Sequence, residues 1–234
     1  MQRIFHTPEG VRDIYSQECS RKQKLQEKLH RVFHQYGFED IETPTFEYFE
    51  VFSKEVGTIP SRELYKFFDR EGNTLVLRPD FTPSVSRACA TYFNPEKEVV
   101  SLCYTGNTFI NNSSFRGRLK ETTQMGVERM GDDSPEADAE ILAMTVECLL
   151  ATGLTEFQVS VGQVDYYKAI FAQTGMSQEE EEELRELISQ KNYFGVEELV
   201  KNKNMDKSLA RVLSQLPQMF GSTEVLEKAK SLTD

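Results

Sequence analysis

The sequence predicts an α+β fold in which an antiparallel sheet is flanked by helices and followed by a small helical lobe. Three observations lead to this prediction. Two pairs of strand-like runs are each joined by polar turn residues, as in hairpins. Helical segments lie between the strands at irregular intervals, unlike the strict alternation of a doubly wound parallel sheet. After Val161, all remaining segments have helical spacing.

The first predicted element is an amphipathic helix from Ser16 to Tyr36, whose apolar residues recur at helical spacing. Gly37 follows where a residue with left-handed backbone geometry is expected to cap the helix. Alternation around Ile41 then predicts a strand. Because proline cannot donate a ladder hydrogen bond, this strand should end at or near Pro44.

A hairpin is predicted next, with strands at Leu64–Phe68 and Leu75–Leu77 on either side of the turn Asp69–Asn73. Thr82 then has the character of a helix N-cap, and Pro83 occupies the first helical position, which tolerates proline. These two residues predict that a short helix begins here.

A longer hairpin is predicted from Val99–Phe109 and Leu119–Met130, joined by the polar loop Asn111–Gly117. The pair Ser134 and Pro135 then repeats the cap-plus-proline signal. It predicts a helix that ends near Gly153.

The last predicted strand covers Phe157–Val161, and a capping-box pattern at Ser177 and Glu180 opens one of the helices that follow. We therefore expect two domains. Residues 1–162 should form the sheet domain, and residues 163–234 should form the helical lobe.

Composition excludes several classes of protein. The chain has 234 residues, 38% of them hydrophobic and 28% charged, with no apolar run long enough to span a bilayer and no signal-peptide pattern. A cytoplasmic location without membrane contact is expected. The net charge of -11 argues against broad binding of nucleic acid, because phosphate contacts require clustered Lys and Arg.

The histidines and cysteines give no clear metal pattern. His6, His30 and His34 do not match a zinc motif, so no metal site and no cofactor are expected. His30 and His34 are one helical turn apart, which a solvated helix face explains more often than a metal does. The four cysteines lack paired spacing, and three of them lie among apolar neighbours, as free thiols in a core do.

Four motifs together carry a family resemblance over roughly residues 6–170. They read, in order, TPEGVRD, GFEDIETPTFE, LVLRPDFTP, and YTGNTF with GRLKETTQMGVERMG. This set resembles the class II histidyl-tRNA synthetase core and its non-aminoacylating relative, the regulatory subunit of ATP phosphoribosyltransferase. The resemblance implies a class II synthetase-like sheet, with motifs 1 and 2 in residues 1–162. It also implies a dimer interface around Pro44.

The resemblance points to a lost nucleotide site. Synthetases of this class place an arginine that holds the ATP α-phosphate where this chain has Ile110, and Asn112 and Thr122 replace two adenine contacts. Losing one preorganised donor typically costs about 100- to 1000-fold in rate. Arg118 matches the family's loop arginine and is a possible residual phosphate contact, although a surface charge is the more common role. No catalytic residue is therefore expected.

The amino-acid pocket of the family is partly kept. Asp80, Thr82, Gln124 and Glu128 match its positions, with Asp80 one methylene shorter than the family's glutamate. Free histidine has an α-ammonium and an imidazole, and a selective pocket needs acceptors for both. Asp80, Thr82 and Gln124 would take the ammonium, and Glu128 the imidazole. Simple helix caps and an exposed strand face remain open as alternatives.

The resemblance implies a non-catalytic regulatory subunit. Such a subunit acts with the short-form catalytic subunit of ATP phosphoribosyltransferase, takes free histidine as effector, and forms a homodimer within a hetero-oligomer. Neither the glycine-rich motif 3 nor the tyrosine-pair loop of histidyl enzymes occurs in residues 163–234. The alternatives are a histidyl-tRNA synthetase that charges tRNA with histidine, or a paralogue that binds another molecule.

Overall fold

The computed structural model describes residues 5–53, 59–112, 117–162, 164–203, 206–215, 218–219 and 221–233. The chain divides into two compact units, Met1–Gln158 and Val159–Asp234. The sequence placed the domain boundary after residue 162. Each unit has its own buried apolar residues.

The first unit combines helices with two small sheets. Its helices are α1 (Ser16–Gln35), α2 (Glu50–Ser53), α3 (Thr82–Tyr92) and α4 (Pro135–Thr152), and a single 3-10 turn covers Ser61–Glu63. Its strands are β1 (Glu39–Asp40), β2 (Phe46–Tyr48), β3 (Lys66–Phe68), β4 (Thr74–Leu77), β5 (Val100–Phe109) and β6 (Glu121–Met130).

The two sheets are β1-β5-β6 and β2-β4-β3. Both predicted hairpins are confirmed, because β3 pairs antiparallel with β4, and β5 pairs antiparallel with β6. The strand predicted around Ile41 is shorter than expected: β1 contains only Glu39 and Asp40, and it runs parallel to β5. Ile41 adds one further bond, from its N–H to the carbonyl of Cys103 at 2.9 Å.

The hairpin of β5 and β6 is covered on both faces. On one face, α3 packs through Val85 and Cys89 against Leu102 and Tyr104, together with Phe81, which directly precedes the helix. On the other face, α1 and α4 contribute the buried side chains that surround Cys103, namely Val32, Phe33 and Met144. Since successive side chains of a strand alternate between faces, Tyr104 and Cys103 belong to different layers.

Several helix ends that were predicted from capping residues are confirmed. The hydroxyl of Ser134 accepts a hydrogen bond from the N–H of Ala137, and Gly37 and Gly153 have left-handed φ values of 79° and 95° at the ends of α1 and α4. The prediction that Thr82 caps α3 is wrong. Phe81 is the N-cap and Thr82 is already helical. Its hydroxyl instead donates to a carboxylate on β6.

The strand predicted at Phe157–Val161 is also wrong within the part of the chain that the structure describes. Residues 157–162 have no ladder partner there, and Val161 is 74% exposed. An alternating apolar pattern becomes a strand only where a neighbouring strand supplies hydrogen-bond partners.

The second unit is helical. It contains α5 (Val164–Thr174), α6 (Gln178–Ser189), α7 (Tyr193–Asn202), α8 (Lys207–Gln215) and α9 (Glu224–Thr233). The predicted capping box at Ser177 and Glu180 is confirmed at the start of α6. Leu184, Val196 and Leu213 are buried where these helices pack. Among the described helices of the whole chain, none is both long and apolar enough to cross a bilayer.

Candidate functional site

The four predicted pocket residues form two hydrogen-bonded pairs. Gln124 and Glu128 lie four residues apart on β6 and therefore face the same side of the sheet. The side-chain N–H of Gln124 donates to Asp80 Oδ1 at 3.1 Å, and the hydroxyl of Thr82 donates to Glu128 Oε1 at 2.6 Å. The start of α3 thus meets β6 through all four residues.

Tyr104 belongs to the same site, and sequence reasoning missed it. It pairs with Gly126, midway between Gln124 and Glu128, and its hydroxyl donates to Glu128 Oε1 at 3.4 Å. Its ring stacks on Phe81 with centroids 4.3 Å apart and planes 8° from parallel. A side chain at position 126 would overlap the Tyr104 hydroxyl. Gly126, the glycine of the run GVERM, was the feature of the sequence that could have indicated this close approach.

The site combines two acidic side chains, Asp80 and Glu128, with the buried Tyr104. Burial raises the pKa of Glu128, and the nearby charge of Asp80 adds to the rise, while hydrogen bonds from Thr82 and Tyr104 oppose it. Burial, followed by the charges of Glu128 and Asp80, also raises the pKa of Tyr104. Within the described parts of the chain, neither Asp80 nor Glu128 forms an ion pair with a basic side chain.

Arg78 is a second residue that the sequence reasoning missed. It is buried, and burial lowers its pKa. Its Nε donates to the carbonyl of Asn107 at 2.8 Å, and its Nη1 donates to the carbonyls of Thr43 and Pro44 at 2.9 and 3.4 Å. The guanidinium carbon lies 3.9 Å from the centre of the Phe81 ring. Arg78 therefore connects the Pro44 segment to the floor of the site.

Gly106 makes this position of Arg78 possible. A Cβ at residue 106 would lie 2.6 Å from Arg78 Nη2 and 2.7 Å from the Phe81 ring. The signal in the sequence was an arginine between the apolar run Leu75–Leu77 and Pro79, where a strand leads into the site.

Ile110 and Thr122, which occupy positions of nucleotide contacts in the family, lie on the β5–β6 hairpin between Gln124 and the loop. The N–H of Ile110 donates to the carbonyl of Lys120 at 2.9 Å, and its side chain is half-buried. The hydroxyls of Thr108 and Thr122 lie 3.0 Å apart. Arg118 is exposed, and no described contact joins it to the four pocket residues. Residues 113–116 of the predicted loop lie outside the described part of the chain.

A family model for histidyl-tRNA synthetase matches residues 10–234. The chain belongs to the histidyl-tRNA synthetase family. This family has the class II synthetase fold that the motifs indicated, and the α+β architecture of the first unit agrees with it.

The chain is also similar to proteins named ATP phosphoribosyltransferase regulatory subunit. The chain is 41% identical over 97% of its length to an ATP phosphoribosyltransferase regulatory subunit of Acetivibrio thermocellus, covering 54% of that protein. It is 37% identical over 97% of its length to the subunit of that name in Clostridium acetobutylicum, covering 56%. The chain thus spans about half the length of the curated relatives it matches.

The fold of the chain is also similar to that of a solved structure. A Bacillus halodurans protein named as an ATP phosphoribosyltransferase regulatory subunit/histidyl-tRNA synthetase superposes with a TM-score of 0.88 at 31% identity. The superposition covers 99% of this chain and 60% of that one. The similarity therefore extends through both units of the chain.

Proposed function

We propose that this chain belongs to a non-catalytic regulatory subunit of ATP phosphoribosyltransferase. It would act with the short-form catalytic subunit in the first step of histidine biosynthesis and would help to set feedback inhibition by free histidine. The names of the two curated relatives reported above support this function. One observation carries the proposal. Acceptor groups suited to histidine, on Asp80, Gln124 and Glu128, lie near Ile110, where the family's synthetases have the arginine that binds the ATP α-phosphate.

Histidine fits the acceptors in a defined orientation. Because Gln124 donates its N–H to Asp80, its carbonyl oxygen is available to accept from the α-ammonium, together with the Asp80 carboxylate. The hydrogen bonds to Glu128 in the described residues end on Oε1. Its Oε2 is therefore available for an imidazole N–H. The Thr82 hydroxyl donates its proton to Glu128 and so holds that carboxylate in place. Its oxygen keeps lone pairs that can accept from the ammonium, as the resemblance implies.

The nucleotide position argues against adenylate formation. Ile110 offers neither charge nor a side-chain hydrogen bond where the family's arginine would meet the α-phosphate. A phosphate there would need a compensating cation, since the transition state develops negative charge. Histidyl-tRNA synthetase activity is the alternative function, favoured by the family match and by the double name of the Bacillus halodurans structure.

A second copy of the chain is the proposed partner near Pro44. Phe46 and Tyr48 of β2 are 50% and 54% exposed, and the Phe46 ring contacts Phe67 of β3 edge-on at 5.7 Å. These rings share one face of the sheet, directly after Pro44 in the chain. The carbonyl of Pro44 accepts a hydrogen bond from Arg78. An exposed aromatic face of this kind is typical of a protein interface.

Reconstitution tests the proposal. The purified catalytic subunit is assayed for phosphoribosyl transfer with and without this protein, over a range of histidine concentrations. We expect higher activity and a histidine response that shifts about 5- to 150-fold, the usual range for coupling of about 1–3 kcal/mol. Unchanged activity and unchanged inhibition would refute the proposed function. Histidine-dependent exchange between ATP and pyrophosphate would instead establish the synthetase.

A further inference from the structure

Four potential metal ligands converge between α1 and the sheet, away from the proposed histidine pocket. They are His30 and His34 of α1, Asp40 of β1 and Cys103 of β5, and their ligand atoms all lie within 4.8 Å of one another. Asp40 is at the centre. Its Oδ1 lies 2.5 Å from His30 Nε2 and 3.4 Å from Cys103 Sγ, and its Oδ2 lies 3.0 Å from His34 Nε2.

We propose that these four side chains form a structural binding site for a divalent transition metal of the Zn²⁺ class. Two imidazoles, one carboxylate and one thiolate make a four-ligand set that suits tetrahedral Zn²⁺. Both histidines present the same nitrogen, Nε2, and their four-residue spacing on a helix places them on one face. With neutral imidazoles, the carboxylate and thiolate charges balance the two charges of the metal.

The geometry is close to that of a tetrahedral site. Zn–N and Zn–S bonds of about 2.0 to 2.3 Å correspond to ligand–ligand distances of about 3.3 to 3.8 Å. The three distances from Asp40 are 2.5, 3.0 and 3.4 Å, and the other ligand atoms lie within 4.8 Å of one another. Small side-chain movements therefore suffice, and the backbone of α1, β1 and β5 can stay in place. The metal would replace the hydrogen bonds that now join the ligands through Asp40.

The site is closed on one side and open on the other. Cys103 is completely buried, whereas the His30 and His34 side chains are 37% and 46% exposed. A metal ion can therefore enter past the histidines and reach the thiol. Cys103 would lose its proton to solvent as the Zn–S bond forms, because a coordinated thiol is deprotonated.

The sequence alone predicted no metal site. The spacing of His30 and His34 was visible there, but two ligands on one helix are not a site. Asp40 and Cys103 are 63 residues apart and join the pair only through the parallel pairing of β1 with β5. The cluster includes none of the four proposed histidine contacts, so it does not depend on the proposed function.

Metal titration of the full chain tests the site. After treatment with a chelator, the protein is titrated with Zn²⁺ against a chromophoric competitor and separately with Co²⁺. We expect one metal ion per chain and a near-ultraviolet Co²⁺–thiolate charge-transfer band. Cys103→Ser should abolish the band, and His34→Gln should weaken Zn²⁺ binding by at least about 10-fold. Cys148→Ser and His6→Gln, which alter residues outside the cluster, are the matched controls.

Each outcome decides the question. His34→Gln changes an exposed side chain, so it keeps the test valid if Cys103→Ser disturbs folding. A thermal midpoint that Zn²⁺ raises in the wild type and in both controls, but not in His34→Gln, supports the site. Binding of less than one Zn²⁺ per chain, or equal binding by the wild type and His34→Gln, would overturn it. The four residues would then be only a hydrogen-bonded network.

Discussion

The hydroxyl of Thr82 donates a hydrogen bond of 2.6 Å to Glu128 Oε1 and so joins the first turn of α3 to β6. This contact orients a carboxylate whose charged form is disfavoured by burial. An oriented, partly desolvated carboxylate binds a cationic or N–H-bearing ligand more strongly than one in water. The relationship between these two residues thus underlies the histidine pocket that we propose.

Removing the charge of Glu128 should weaken histidine binding. Glu128→Gln keeps the size of the side chain but loses a charge-assisted hydrogen bond, worth about 1.5 to 3 kcal/mol. We expect an affinity for histidine about 10- to 100-fold lower by isothermal titration calorimetry. Glu121→Gln is the matched control, because Glu121 lies on the same strand and contacts Asn107 on the opposite face. Equal losses in both variants would refute the assignment.

The stability of the first unit should depend on pH through Glu128. Its pKa is raised above the ordinary 4.5, with Asp80 and Tyr104 as the neighbouring titratable groups. The folded state therefore binds the proton more tightly, and this group's contribution to stability decreases as pH rises from about 4.5 through the raised pKa. Urea unfolding across this range should show Glu128→Gln gaining stability relative to the wild type as pH rises. A constant difference would contradict the raised pKa.

The close approach at Gly126 makes a further prediction. A methyl group there would displace Tyr104 from Glu128, and overpacking of this kind costs about 1 to 3 kcal/mol. Gly126→Ala should lower the thermal midpoint by roughly 2 to 10 °C for a chain of this size. Gly162→Ala is the control, because a Cβ at that position has no neighbour within 4 Å. If both variants have the same thermal midpoint, the Tyr104 ring does not pack against Gly126 as the structure shows.

The partly buried ion pair between Glu47 and Arg87 should stabilise the junction of β2 and α3. Two nitrogens of Arg87 donate to Glu47 Oε1 at 2.8 and 3.0 Å, and Glu47 is 8% exposed. Arg87→Met leaves that carboxylate unpaired, and we expect a loss of about 1 to 3 kcal/mol in unfolding free energy. Lys201→Met breaks the exposed pair with Glu197 and should cost less than about 0.5 kcal/mol. Similar losses would show that burial of Glu47 does not matter.

Local signals predicted the elements well, and long-range contacts were the part that sequence could not supply. The hairpin of β5 and β6 and the cap at Ser134 depend on neighbours in the chain. The contact from Thr82 to Glu128 spans 46 residues, so a good N-cap residue was read as a cap. The segment Phe157–Val161 had the pattern of a strand but lacks a partner in the described structure.

The site was predicted only in part for the same reason. Motifs located Asp80, Thr82, Gln124 and Glu128, and the structure brings them together. Tyr104 and Arg78 act through packing against Phe81, between Gly106 and Gly126. Such a role depends on which side chains stack in three dimensions. The glycine in GVERM and the arginine before Pro79 were visible in the sequence, but they do not reveal which side chains meet.

The most direct measurement is a pair of calorimetric titrations of the purified protein, one with free histidine and one with ATP. The proposed function predicts saturable binding of histidine, weakened by Glu128→Gln, and no saturable binding of ATP. Saturable binding of ATP beside Ile110, followed by histidine-dependent formation of an adenylate, would contradict it.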